Sequence, residues 1–176
     1  MAPATVSAAT DESISGLDAT PAAGAGHGVP PQTGAPRAPL RIMLLDDDPL
    51  MLEVLADTLR ELGQTDIECR CDAKTAIETM QKERPQLLIC DLSMPDMDGI
   101  EFLRVAADTG YRGSIVLLSG MDSGVRLAAE RLAVAQGLRV LGAYQKPIER
   151  HDLARVLAAA RSAARHNPIP AVPGPA

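Results

Sequence analysis

Short aliphatic blocks alternate with longer stretches in which aliphatic residues recur every three or four positions, from about Leu40 to His166. Arg41 to Leu45 is an apolar run bounded by polar residues and reads as a buried strand. Pro49 opens a helical pattern carrying Leu50, Leu52, Val54, Leu55, Leu59 and Leu62, and Gly63 stops it. Asp66 to Arg70 reads as a second strand, and Asp72 is placed to cap a helix with Ala73, Ala76, Ile77 and Met80 that ends before Pro85. Gln86 to Cys90 gives a third strand, Met94 to Gly99 a turn-rich loop, and a short helix runs on through Ala107. Ser114 to Leu118 is a fourth strand, Asp122 to Gln136 a helix stopped by Gly137, and Leu138 to Tyr144 a fifth strand. Glu149 to about Arg165 closes the pattern as a helix with Leu153, Val156, Leu157 and Ala160 inward.

Short strands without polar alternation are buried on both faces, and their regular spacing by helices predicts an α/β fold with a parallel sheet covered on both sides. Right-handed crossovers and short loops favour a doubly wound, flavodoxin-like sheet of five strands in the order 2-1-3-4-5, with five helices. In that order the first and third strands flank the switch point, and ligands bind beyond the carboxyl ends of the strands there.

Composition narrows this picture. The 176 residues suffice for one domain of ordinary size. Hydrophobic residues make up 46% and aromatics only 2%, so the core must be aliphatic. Residues 1–39 are rich in Ala, Pro, Gly, Ser and Thr and are expected to be a disordered tail, as are residues 167–176, leaving 40–166 as the domain. A net charge of -6, with no basic stripe, argues against nucleic acid as a direct partner. No apolar run approaches the ~18 residues of a membrane span, and no signal peptide is read. Cys69, Cys71 and Cys90 lack metal-ligand spacing and are expected to be buried free thiols, which fits a reducing cytoplasm.

The chemistry-bearing residues stand at the strand ends. Asp46, Asp47 and Asp48 follow the first strand, Asp91 the third, Ser119 the fourth and Lys146 the fifth. The predicted topology gathers them at one edge of the sheet. Two carboxylates about 5 Å apart repel by roughly 3 kcal/mol at an effective dielectric of 20, and Lys146 alone does not cancel three of them. A hard divalent cation with oxygen ligands would, and Mg²⁺ fits a site of one or two carboxylates plus a phosphate. An aspartate there can act as nucleophile and form an acyl phosphate, with Lys146 and Ser119 meeting the phosphoryl oxygens. Singly, each residue has an ordinary explanation as a helix cap, a solvated strand end, a turn serine or a surface lysine. Their joint placement at the ends of four strands favours the functional reading. Asp48 is assigned as a cap, and Asp96 and Asp98 as loop and cap residues. His27, His151 and His166 take no catalytic role.

Over about Leu40 to Arg165 the sequence resembles the response-regulator receiver domains of two-component signalling. The matching stretches are LLDDDP at 44–49, LLICDLSMPDMDGIEFL at 87–103, LLSG at 117–120 and YQKP at 144–147. The resemblance implies Asp91 as phosphoacceptor and Asp46 and Asp47 as the acidic pair, Asp47 being the more direct Mg²⁺ ligand. It implies the Ser93 backbone carbonyl as a further ligand, Ser119 as the switch hydroxyl and Lys146 as the phosphoryl contact. It also implies a cis peptide before Pro147, and Ser93 and Met121 at positions that tune hydrolysis. The implied partners are a histidine kinase or histidine phosphotransfer protein as donor and a protein target downstream. A homodimer could form through the fourth helix, fifth strand and fifth helix. The family's aromatic switch residue lies three before the lysine; here that is Ala143, with Tyr144 one residue later and expected on the opposite face. The segment 137–147 also resembles receivers that accompany cyclic-di-GMP phosphodiesterase domains, although the sequence carries no such domain.

Two rivals bear comparison. Asp46-x-Asp48 with Ser119 and Lys146 superficially resembles the haloacid-dehalogenase phosphatases, but Leu50 stands where they need Thr or Val, and no late acidic pair follows the lysine. A phosphorylation-independent receiver-like scaffold draws on Ala143 but leaves the full acidic set unexplained. The domain is therefore read as a non-enzyme that catalyses only its own phosphorylation and dephosphorylation.

Overall fold

The structure is a computed structural model, and it describes residues 39–95 and 97–166. Asp96 and the tails assigned from sequence, apart from Pro39, lie outside the described residues. In chain order the elements are β1 (Ile42–Leu45), α1 (Pro49–Glu61), β2 (Ile67–Arg70), α2 (Ala73–Glu83), β3 (Leu87–Asp91), α3 (Gly99–Asp108), β4 (Ser114–Ser119), α4 (Ser123–Ala135), β5 (Arg139–Gln145) and α5 (Arg150–His166). The strands form one parallel sheet in the order β2-β1-β3-β4-β5, as the alternation of elements predicts.

Every residue of β1, β3 and β4 is buried. The period of two divides their side chains between two aliphatic layers. Met43, Leu45, Leu88, Cys90, Ile115 and Leu117 face α2, α3 and α4, with Phe102 as the largest inserted side chain. Ile42, Leu44, Leu87, Ile89, Val116 and Leu118 face α1 and α5. The edge strands differ: β2 and β5 are only partly buried.

Local chemistry sets the helix starts. Asp48, Asp72, Asp98 and Asp122 each cap a helix by accepting a backbone N–H of its first turn. Gly99 lets α3 begin against the loop after β3, because a Cβ there would lie 2.6 Å from the Leu92 Cα. In α1, Leu52, Leu55, Ala56 and Leu59 form the buried stripe, whereas Leu50 and Val54 are 66% and 50% exposed. The apolar pattern of α1 is therefore wider than its packed face.

The cysteines depart from expectation. Cys90 is buried, but Cys69 and Cys71 are exposed. They lie on and just after an edge strand, which has a neighbour on one side only. In β5 the pairing with β4 shifts between Ile115/Val116, so that Val140 and Gly142 flank an extra residue, Leu141. This bulge puts residues three apart on one face: Val140 with Ala143 toward α4, and Leu141 with Tyr144 toward α1 and α5. Gly142 has φ +150, and the Tyr144 ring lies 3.0 Å from where its Cβ would be.

Candidate functional site

Strand register brings the charged residues together. Leu44 pairs with Ile89, and Asp46 and Asp91 each lie two residues further along, beyond the aliphatic layer on the α1 and α5 side. Lys146 stands two residues past Tyr144 on the same side. Alternation thus aims all three side chains across one rim.

The distances bear this out. Oxygens of Asp46, Asp47 and Asp91 lie within 4.8 Å of one another. The Lys146 Nζ lies 2.6 Å from Asp46 Oδ2 and 2.9 Å from Asp91 Oδ2. Asp46 and Asp91 are buried, Lys146 is 17% exposed and Asp47 is open to solvent. Asp46 Oδ1 also accepts the Asp48 N–H at 3.0 Å. Burial pushes the Asp46 carboxyl above the usual range, outweighing the Lys146 ammonium and the Asp48 N–H. Burial alone would lower Lys146, but contacts with Asp46 and Asp91 more than offset it and hold the ammonium above its ordinary value.

The donor set fits a hard cation. Asp91 Oδ1 is buried with no hydrogen-bond partner, although it belongs to a carboxylate facing two others. One ammonium against three carboxylates leaves an excess of negative charge at a rim built only of oxygen ligands, the chemistry that suits Mg²⁺.

The remaining predicted residues are placed as follows. Ser119 ends β4, fully buried, and its hydroxyl oxygen accepts the Met121 N–H at 2.9 Å; it makes no hydrogen bond to the carboxylates. Ser93 is exposed, two residues past Asp91. The Lys146–Pro147 peptide is cis. Ala143 and Tyr144 lie on opposite sides of the sheet. Sequence reasoning did not foresee that Lys146 bridges Asp46 and Asp91 at once; the shared parity of Leu44, Ile89 and Tyr144 was the available signal.

The comparisons with known proteins agree with this geometry. Residues 42–158 match the family model described as the response regulator receiver domain. The cyclic di-GMP phosphodiesterase RocR of Pseudomonas aeruginosa is 30% identical over 132 residues, covering 74% of this chain and 33% of RocR. Protein-glutamate methylesterase/protein-glutamine glutaminase 1 of Xanthomonas oryzae pv. oryzae is 31% identical, over 70% of this chain and 36% of its own length. The chain thus spans about a third of the length of these curated relatives. The crystal structure of a response regulator from Colwellia psychrerythraea superposes with a TM-score of 0.61 and 33% identity, over 72% of this chain and 98% of that one. With more than half of its length matched by the family model and the strand order and acidic rim in place, the chain belongs to the response regulator receiver domain family of two-component systems.

Proposed function

We propose that Asp91 accepts a phosphoryl group from a phosphohistidine donor and that the domain signals by a change of protein-binding surface. The observation that carries this reading is the meeting of three carboxylates and one ammonium at the rim. Asp46, Asp47, Asp91 and the Ser93 carbonyl would hold Mg²⁺, which when bound neutralises the excess carboxylate charge and the charge of the entering phosphoryl group.

The chain's own residues do the rest. The Asp91 carboxylate attacks phosphorus; the P–N bond to the donor imidazole breaks as the P–O bond forms, and the imidazole keeps the electron pair. Lys146 fixes the carboxylate beforehand and meets the phosphoryl oxygens afterwards. The Ser119 hydroxyl, whose oxygen accepts the Met121 N–H, turns to donate its O–H to a phosphoryl oxygen, moving the β4–α4 segment with it. α4 buries only Ala129 and Ala133, so little apolar packing opposes its movement with that segment. Its exposed Val125, Leu127, Leu132 and Val134 offer the altered surface to a protein target. Ala143 gives no aromatic on that side, so the readout runs through Ser119 and α4. Leu50 and Val54, one helical turn apart at the start of α1 and beside the rim, form the docking patch for a histidine kinase or phosphotransfer protein.

The test is labelling with a small phosphodonor such as phosphoramidate. The wild type is labelled in Mg²⁺ and loses labelling with a chelator, and Asp91→Asn is unlabelled. Continued labelling of Asp91→Asn at another residue rejects the assignment.

A further inference from the structure

The two edges of the sheet are guarded differently. β5 carries a bulge and a glycine at φ +150, both of which distort a strand against pairing with another chain. β2 carries no bulge, glycine or proline. Among the described residues nothing pairs with its outer side.

The outward hydrogen-bonding groups of β2 follow from its inward ones. The carbonyls of Asp66 and Arg70 accept the N–H groups of Ile42, at the start of β1, and Asp46, just past its end. The period of two then turns the N–H and C=O of Ile67 and Cys69 outward. The Cys69 carbonyl accepts the Arg70 guanidinium of its own chain at 2.8 Å, a contact on its outward side that pairing with a second strand would replace. Cys69 itself is exposed.

We infer that β2 is a self-association edge, pairing antiparallel with β2 of a second copy about a two-fold axis at Cys69. In that register Cys69 faces Cys69 of the second copy, and Glu68 faces Arg70 in both directions. The sequence reads acid, cysteine, base, so it is complementary to its own reverse. The Glu68 and Arg70 positions are the non-hydrogen-bonded ones, where side chains approach most closely. Both side chains lie on the α2 side, pair with each other within the chain, and line a cleft of about 630 Å³ between β2 and α2. That cleft gives room for the partner's side chains. Beyond the paired stretch Asp66 would face Asp72, which confines the ladder to residues 67–71. The product is a ten-stranded sheet whose two carboxylate rims lie at opposite ends. Its α4 and β5 surfaces stay free, because β5 lies at the far edge of each copy.

Cys69 supplies a built-in reporter. Directly opposed hydrogen-bonded residues have Cα atoms about 5.5 Å apart, within disulfide reach. With oxidised glutathione, a Cys69 thiolate displaces one glutathione thiolate, and the opposed Cys69 thiolate displaces the second. One S–S bond forms between the copies, and one disulfide is reduced to two thiols.

The experiment is sedimentation velocity of the reduced full chain over a concentration series, with crosslinking by oxidised glutathione alongside. Reversible dimerisation is expected, with roughly tenfold or greater weakening in Cys69→Lys and Glu68→Arg, where like charges are opposed. Cys69→Ser is expected to dimerise as the wild type does. Exchanging both charges (Glu68→Arg with Arg70→Glu) is expected to restore association. The crosslink is expected to vanish in Cys69→Ser and persist in Cys71→Ser. Circular dichroism and phosphodonor labelling confirm that each variant is folded. A protein monomeric at every concentration, or a dimer indifferent to Cys69→Lys and Glu68→Arg in folded protein, overturns the inference.

Discussion

The body of the sheet and its carboxyl rim are built on opposite principles. In the body, every residue of β1, β3 and β4 is buried, and their apolar side chains fill the two aliphatic layers. One residue past β1, at the last residue of β3 and one past β5, Asp46, Asp91 and Lys146 gather more charge than they balance. The body holds the fold; the rim draws on that stability to keep like charges together. In this chain the change from aliphatic to charged side chains comes within a residue of the ends of β1, β3 and β5.

Mutation should separate them by sign. Leu44→Ala, in the body, is expected to destabilise the domain by about 2–5 kcal/mol in urea unfolding, because the lost contacts leave a cavity in a packed layer. Asp91→Asn, two rungs further along the sheet, is expected to stabilise it by about 1–3 kcal/mol without divalent cation, since it removes one of three crowded carboxylates. Added Mg²⁺ should raise the melting temperature of the wild type and leave that of Asp91→Asn nearly unchanged. If Asp91→Asn destabilises instead, the rim is not under electrostatic stress.

A smaller effect concerns the helix starts. The Thr75 hydroxyl and N–H hold the Asp72 carboxyl below its usual value. Its contribution is therefore present above the unfolded value of about 3.9 and is lost as pH falls through the lower folded value. Asp72→Ala is expected to cost about 1 kcal/mol at neutral pH. Asp72→Asn should keep the cap and flatten the acid limb of the stability curve, as read by chemical unfolding between about pH 2 and 5. The smallest effect on stability, within about 0.5 kcal/mol, is expected for Val54→Ser on the exposed face of α1. That variant should slow phosphotransfer from a phosphohistidine protein while leaving labelling by phosphoramidate unchanged.

Much of the sheet was legible because parallel strands buried on both faces are written as unbroken aliphatic runs. β1, β3 and β4 are of that kind, and their ends fixed where Asp46, Asp91 and Ser119 would stand. The edges were less legible. A four-residue strand such as β2 looks the same in sequence whether one or two strands flank it, so Cys69 and Cys71 were expected inside and lie outside. Leu50 and Val54 belong to the apolar pattern of α1 yet lie exposed, because periodicity records apolar residues and not what covers them. The opposite placement of Ala143 and Tyr144 followed from alternation, whereas the bulge at Leu141 has no turn residue to announce it beyond Gly142. The double contact of Lys146 needs the register of β1, β3, β4 and β5 together and so lies beyond any one motif.

The most direct test is to locate the acyl phosphate. After treatment with phosphoramidate and Mg²⁺, borohydride reduction converts a phosphorylated aspartate to homoserine, and peptide mass spectrometry reads its position. Homoserine at position 91 alone is the predicted result; homoserine at 46 or 47, or a stable phosphate on Ser119 with position 91 unmodified, would contradict it.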